Sequence, residues 1–357
     1  MKSLPNSALK IATFNLFNYL EPPNAFYEFN NIYSAEQWQK KQLWISQYLA
    51  EQQPDVIGFQ EVFSTESLEV LVAEQGYPYF TVIDQAKVTD GFIYRSPVVA
   101  IASRFPIVET SSLKLDAQLA ESLGLSNDFT FSRKILRATI DLPHLGYSDC
   151  YVVHFKSKRA LSEFDQNDNL SKEKNVIEKL KSQVAGGWGS TIQRGSEATL
   201  LLLSMIEQRE KTARPMVLMG DFNNELTDGV LNQLVTNKLR FPTYDKENFL
   251  AKYCLKDSWC LFQESSLEDS IGPLVEKEVN RDLGKLNKRK ATHYFDGSSS
   301  ILDYILLSCE FDANSQKSFF EVSAYDTYDR HLINPIFERD GNSTDHGIVM
   351  ITLTLRE

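Results

Sequence analysis

Three short apolar runs, residues 10–15, 55–60 and 215–220, each stop at or beside a polar residue, and this constrains the chain more than any other feature. Runs that are apolar at the centre and bounded by polar or turn-forming residues read as buried strands. Each therefore delivers a polar side chain to a strand end, where chemistry can sit. Residues 37–52 read as an amphipathic helix, with Trp38, Ile45, Tyr48 and Leu49 on one stripe, ending before Pro54. Residues 196–207 read as a second helix leading into the strand at 215. Strand-like runs at 98–102, 138–142, 151–154, 301–307 and 348–355 complete a mixed α/β pattern. Two stretches read as long loops: 157–195, with Gly186-Gly187-Trp188-Gly189 near its end, and 263–297, with the basic run 285–290. Loops of such length are usually functional, so substrate selection is expected there. No repeat or low-complexity tract is present.

The 357 residues, 42% hydrophobic and 24% charged, fit a globular protein of one large or two smaller domains. The longest apolar runs fall far short of the roughly 20 residues that span a bilayer. No stable membrane insertion is expected. The first ten residues lack an apolar core of the secretory kind, so a cytoplasmic location is expected unless a signal was removed. Four scattered cysteines, Cys150, Cys254, Cys260 and Cys309, make no disulfide framework and read as buried free thiols. A net charge of −11 argues against a broad nucleic-acid-binding surface. It is compatible with a hydrolase that meets one phosphate at a time through a metal ion.

Four local motifs carry candidate chemistry. Gly220-Asp221-Phe222-Asn223 places a carboxylate and a carboxamide two apart after a strand, where extended backbone would aim both at one ligand. A turn satisfying its own backbone is the plainer alternative. The 54–61 strand ends in Glu61, and a hard cation such as Mg²⁺ needs only one or two such carboxylates. A lone strand-end glutamate is more often just solvated. His154 closes a strand and is followed by Lys156, Lys158 and Arg159, cations that favour a phosphate. Alone, such a histidine is more often structural. Asp345-His346 precedes the last strand, with Asp303 upstream; a buried carboxylate beside a histidine fixes its tautomer and stabilises its charged form.

Taken together, Asn15 in Ile11-Ala-Thr-Phe-Asn15-Leu-Phe-Asn18-Tyr19, Gln60-Glu61, His154, Gly220-Asp221-Phe222-Asn223, Asp303-Tyr304 and Thr344-Asp345-His346 resemble the endonuclease/exonuclease/phosphatase superfamily in order and context. The resemblance runs from residue 11 to 355, and the 99–107 segment resembles its mid-chain strand. It implies one catalytic domain over 1–357 with the deoxyribonuclease-I-like fold: a four-layer α/β sandwich of two mixed β-sheets flanked by helices. It further implies Glu61 as the main metal carboxylate, with Asn15 and Asp345, holding Mg²⁺ or alternatively Mn²⁺ or Ca²⁺. Asp221 would orient or activate the attacking water, and Asn223 would hold a phosphoryl oxygen. His346, paired with Asp303, and His154 would bind the phosphate and stabilise or protonate charged oxygens. Arg133 resembles a phosphate-contacting residue of pancreatic-type deoxyribonucleases, and Lys156 and Lys158 join it as substrate-binding candidates.

Asn15-x-x-Asn18-Tyr19 and His154-Phe-Lys-Ser-Lys158 are most similar to the bacterial nuclease branch, so a monomeric nuclease acting on DNA or RNA is expected. The chain departs from other branches: His154 stands where abasic-site endonucleases have tyrosine, Asp303-Tyr304 where inositol polyphosphate phosphatases have Asp-Arg, and Phe17 where several repair nucleases have a second acid. A phosphatase or phospholipid phosphodiesterase is the alternative. A sphingomyelinase-like enzyme would want an exposed aromatic hairpin, and both Ser318-Phe319-Phe320 and Phe241 read instead as core. A binding protein that kept the fold and lost activity is a third class, disfavoured by the full set of polar residues.

Overall fold

The computed structural model describes residues 8–126, 128–160, 170–240, 249–270 and 288–356, the side chains of 267–270 excepted. Its main strands are β1 (Ala8–Tyr19), β2 (Val56–Val62), β3 (Tyr79–Val82), β4 (Val98–Ser103), β5 (Ile107–Ser112) and β6 (Leu136–Leu142). They continue with β7 (Gly146–His154), β8 (Met216–Asp221), β9 (Lys256–Asp257), β10 (Asp303–Leu307), β11 (Phe320–Tyr328) and β12 (Ile348–Leu355). One six-stranded sheet runs β11-β12-β1-β2-β4-β3 and the other β9-β10-β8-β7-β6-β5. The pairs β1/β2 and β7/β8 are parallel and their neighbours antiparallel, so both sheets are mixed.

The strand period of two sorts each strand's side chains between layers. Ile11, Val56 and Ile101 pack with Val152, Met219 and Ile305 of the other sheet in the central core. Their neighbours Ala12 and Ile57 face outward under helices α1 (Ala35–Gln52) and α2 (Thr65–Glu74). On the other side Tyr151, Val153 and Leu218 face outward under the 41-residue helix α3 (Lys172–Thr212), which contributes Ala198, Leu201 and Met205. This is the helix–sheet–sheet–helix sandwich expected from the sequence. The sheets approach closely at Gly58, where an added Cβ would lie 2.9 Å from the Met219 sulfur.

Helix α1 starts from a reciprocal Ser34/Gln37 cap and buries Trp38, Trp44, Ile45, Tyr48 and Leu49. It also buries Lys41, which the apolar stripe did not reveal. The reading of 157–195 as a loop is corrected: from Lys172 it is the first half of α3, and the Gly186–Gly189 stretch is helical. Glycine propensity is overruled because Gly186, Ser190, Arg194 and Glu197 form a buried stripe against the chain that follows His154. The 263–297 stretch likewise contains the end of a helix, Ser258–Ser270, and a short hairpin, His293–Phe295 with Ser298–Ser300.

In the basic run 285–290, Arg289 pairs with Asp257 and Tyr325 and Lys290 with Asp329, Lys288 is exposed, and Lys285 lies outside the described residues. All four cysteines are free, but only Cys150 and Cys309 are buried. Phe320 is core as expected, Phe319 is exposed, and Phe241 lies outside the described residues. No described helix is long and apolar enough to cross a membrane.

Candidate active site

Strand register brings the motifs together. His154 on β7 lies opposite Asp221 on β8, and Asp221 lies opposite Asp303 on β10. Asn15 on β1 pairs with Gln60 on β2, so the neighbouring sheet brings Glu61 to the same rim. Placing Asp221 requires Gly220, whose φ is +148° and whose Cβ, if present, would fall 2.0 Å from the Val153 carbonyl oxygen. Four non-glycine residues at this rim hold left-handed backbone: Phe17, Asn18, Glu61 and Asn223, with φ of 51°, 55°, 60° and 53°. Each such conformation costs about 1–3 kcal/mol, and clustered strain of this kind marks sites whose geometry matters more than local stability.

Asp221 is the hub. Its Oδ2 accepts from Asn15 Nδ2 and Asn223 Nδ2, both at 3.2 Å, and its Oδ1 accepts from the Asn223 backbone N–H at 2.8 Å. His154 Nε2 lies 3.4 Å and His346 Nε2 3.9 Å from the same Oδ2. Burial raises the Asp221 carboxyl to about 7, against the opposing pull of His346. His346 Nδ1 donates to Asp303 Oδ2 at 2.8 Å. Burial alone would favour a neutral His346, but Asp303 and Asp221 push its pKa well above the ordinary value. His154 goes the other way, held neutral by burial and by the nearby charges of Arg133 and His346.

The loop before β12 is tied to both sheets. Thr344 Oγ1 donates to the Asn15 carbonyl at 2.6 Å and accepts from the His346 N–H at 3.1 Å. His331 donates to the His346 carbonyl at 2.9 Å, and Lys41 Nζ to the Ser343 carbonyl at 2.8 Å.

Glu61 accepts from the Asn18 N–H at 2.9 Å, and burial followed by repulsion from Asp345 raises its pKa. Two acids in mutual repulsion, with Asp345 Oδ1 and Asn18 Oδ1 buried and without a hydrogen-bond partner, suit a hard divalent cation. Asn15 is engaged through both polar atoms of its side chain. Its amide nitrogen serves Asp221 and its oxygen accepts from the Phe17 N–H at 3.0 Å. Asp345 also lies within 4.8 Å of His293 and His346, ligand atom to ligand atom.

Arg133 points toward the same region, its Nη1 3.4 Å from the Phe155 carbonyl. Lys156, Lys158 and Arg159 follow His154; Lys158 and Arg159 are exposed, while Lys156 is half-buried and donates to the Arg159 carbonyl at 2.9 Å. Glu197 of α3 accepts the backbone N–H groups of Lys156 and Ser132, fixing both basic segments. All eleven expected residues therefore lie at or beside one rim of the sandwich. Sequence reasoning missed Lys41, Asn18, Glu197 and His293. Asn18 alone carried a signal, as part of the Asn15-x-x-Asn18 motif.

The family model for the endonuclease/exonuclease/phosphatase family matches residues 12–311. The chain belongs to this family. It is thereby a hydrolase of phosphoester bonds, in a family whose members commonly depend on a divalent metal. Among solved structures, the human Nocturnin catalytic domain with bound sulfate anion is similar at 15% identity and a TM-score of 0.53, covering 98% of this chain and 96% of that one. Humanized D. rerio TDP2 matches at 13% identity and 0.52, covering 98% and 100%. The Bacteroides thetaiotaomicron mannosyl-6-phosphatase matches at 17% and 0.50, covering 97% and 100%. Likeness at such identities establishes the fold, which is the deoxyribonuclease-I-like one. No curated protein sequence matches the chain.

Proposed function

We propose that the chain is a single-domain, divalent-metal-dependent phosphodiesterase whose substrate is a nucleic acid. One observation carries the reading: a buried carboxylate, Asp221, poised near neutrality amid Asn15, Asn223, His154 and an Asp303-supported His346. A general base works best with a pKa near the operating pH, and Asp221 meets that condition. Asp221 accepts a proton from the attacking water as its oxygen bonds to phosphorus and the bond to the leaving oxygen breaks. Asn223, anchored to Asp221 and the Phe155 carbonyl, orients the phosphoryl group. The charged His346, held by Asp303, stabilises negative oxygens that develop in the transition state. Neutral His154 donates a hydrogen bond to the diester.

Glu61 and Asp345, with Asn15 at their edge, would hold Mg²⁺, Mn²⁺ or Ca²⁺; the cation, when bound, neutralises phosphate charge. Arg133, Lys156, Lys158 and Arg159 form a cationic rim beside this centre on a chain of net charge −11. That contrast supports a polyanionic substrate, contacted at few phosphates. The test is KM against salt for Lys156→Ala/Lys158→Ala/Arg159→Ala. An oligonucleotide should show a raised KM with a flattened salt slope, and a small aryl phosphodiester should change little. Equal response of both substrates, or no response of either, removes the nucleic-acid reading and favours a phosphatase or lipid diesterase on the same centre.

A further inference from the structure

The N-terminal half of α3 exposes Val176, Leu180, Val184 and Trp188 at 68%, 61%, 67% and 66% of their maximal surface, with Ile177 beside them. At about 100° per residue these five side chains share an arc of roughly 120°. Asn175, Glu178, Ser182, Gly186 and Gly189, partly or fully covered, lie on the opposite face, and the buried Ser190 lies at its edge, toward the chain after His154. The apolar ridge therefore points away from the body of the protein, and no described residue covers it. Four exposed lysines frame it. Lys172 and Lys179 fall roughly 80–120° to one side of its midline and Lys174 and Lys181 to the other, on the same helical arithmetic. Glu173 marks the start of the ridge in the first helical turn, and Glu178 lies on the far side, pairing with Lys181 at 2.9 Å.

We propose that this segment is a peripheral docking helix for an anionic lipid surface. An apolar arc carrying a tryptophan, flanked on both sides by lysines whose stems can lie along it while their charges reach outward, is matched to a bilayer interface. The lysine charges complement acidic headgroups, each contributing about fivefold to partition. A soluble partner or second copy would need no symmetric cationic border. The helix also touches the working part of the molecule: Ser190 donates to the Arg159 carbonyl, and Arg194 to the Lys156 carbonyl at 2.8 Å. Docking would hold the cationic rim near the membrane. The proposal does not depend on which phosphodiester is cleaved.

The test is sedimentation of the full chain with vesicles of phosphatidylcholine containing phosphatidylglycerol, with tryptophan emission read in parallel. Wild type should bind and shift its emission to the blue, and binding to pure phosphatidylcholine should be more than about tenfold weaker. Leu180→Glu/Val184→Glu, and separately the four lysines changed to glutamine, should each lose binding by a similar factor. Both variants should keep wild-type melting temperatures and turnover on a soluble diester. Absence of vesicle binding by wild type overturns the proposal, as does binding that survives Leu180→Glu/Val184→Glu. So does a wild-type dimer in solution that becomes monomeric in that variant without any lipid association. None of these outcomes bears on hydrolysis, which is read separately.

Discussion

Replacing Asp303 by asparagine keeps the shape of the His346 partner and removes its charge. The pair is fully buried at 2.8 Å, and two unit charges at that separation attract by ~6 kcal/mol at an effective dielectric constant of about 20. Asp221 retains part of the stabilisation, and the asparagine amide can still accept from Nδ1. A net loss of roughly 3–4 kcal/mol in favour of charged His346 is therefore expected, which moves its pKa down. Weaker stabilisation of the charged His346 should lower turnover about 10²–10³-fold, with KM changing far less. The assay is kcat on a soluble aryl phosphodiester with saturating Mg²⁺, from pH 5 to 9, with melting temperature in parallel. Wild type should lose activity toward pH 5 as Asp221 takes up a proton, and the variant should lie below it across the range. A folded Asp303→Asn enzyme with near-normal kcat would show that the charge on His346 does no chemistry.

Glu61→Gln should weaken Mg²⁺ binding by at least about tenfold, yet make the metal-free protein more stable, because it removes a carboxylate that Asp345 repels; thermal melts with and without Mg²⁺ check both. Gly220→Ala should destabilise by more than about 3 kcal/mol or prevent folding, since its Cβ would overlap the Val153 carbonyl at a φ that disfavours side chains; denaturant midpoints measure it. Burial lowers His331 to about 4, so the unfolded chain takes up its proton first as pH falls. The stability this represents, roughly 3 kcal/mol, is complete above about pH 6.5 and lost progressively down to pH 4. His331→Gln should flatten the acid limb of a melting-temperature profile in that window.

The sequence made the layers legible because buried strands announce themselves through unbroken apolar runs, and the polar residues that end those runs proved to share one rim. The four carboxylates and two histidines of that rim, Glu61, Asp221, Asp303, Asp345, His154 and His346, could be named without coordinates. Their pairing could not: the His154–Asp221–Asp303 row follows from strand register, which no local pattern encodes. The glycine-rich 186–189 stretch misled because small residues permit helix packing as readily as they permit turns, and only the covering chain at 156–159 decides between them. Lys41 was hidden for a related reason. A lysine in an apolar stripe reads as an interruption until its acceptor, the Ser343 carbonyl some three hundred residues later, is in place.

The most direct test of the central claim is hydrolysis of a soluble aryl phosphodiester by wild type and Asp221→Asn, each with Mg²⁺ and with excess EDTA, on samples of matched melting temperature. Wild type should turn over with Mg²⁺ and cease in EDTA, and Asp221→Asn should lose at least about 10³-fold with the metal present, since its side chain can no longer accept the proton of water. Undiminished cleavage in EDTA, or near-normal turnover by a folded Asp221→Asn protein, would contradict a metal-dependent site built around this carboxylate.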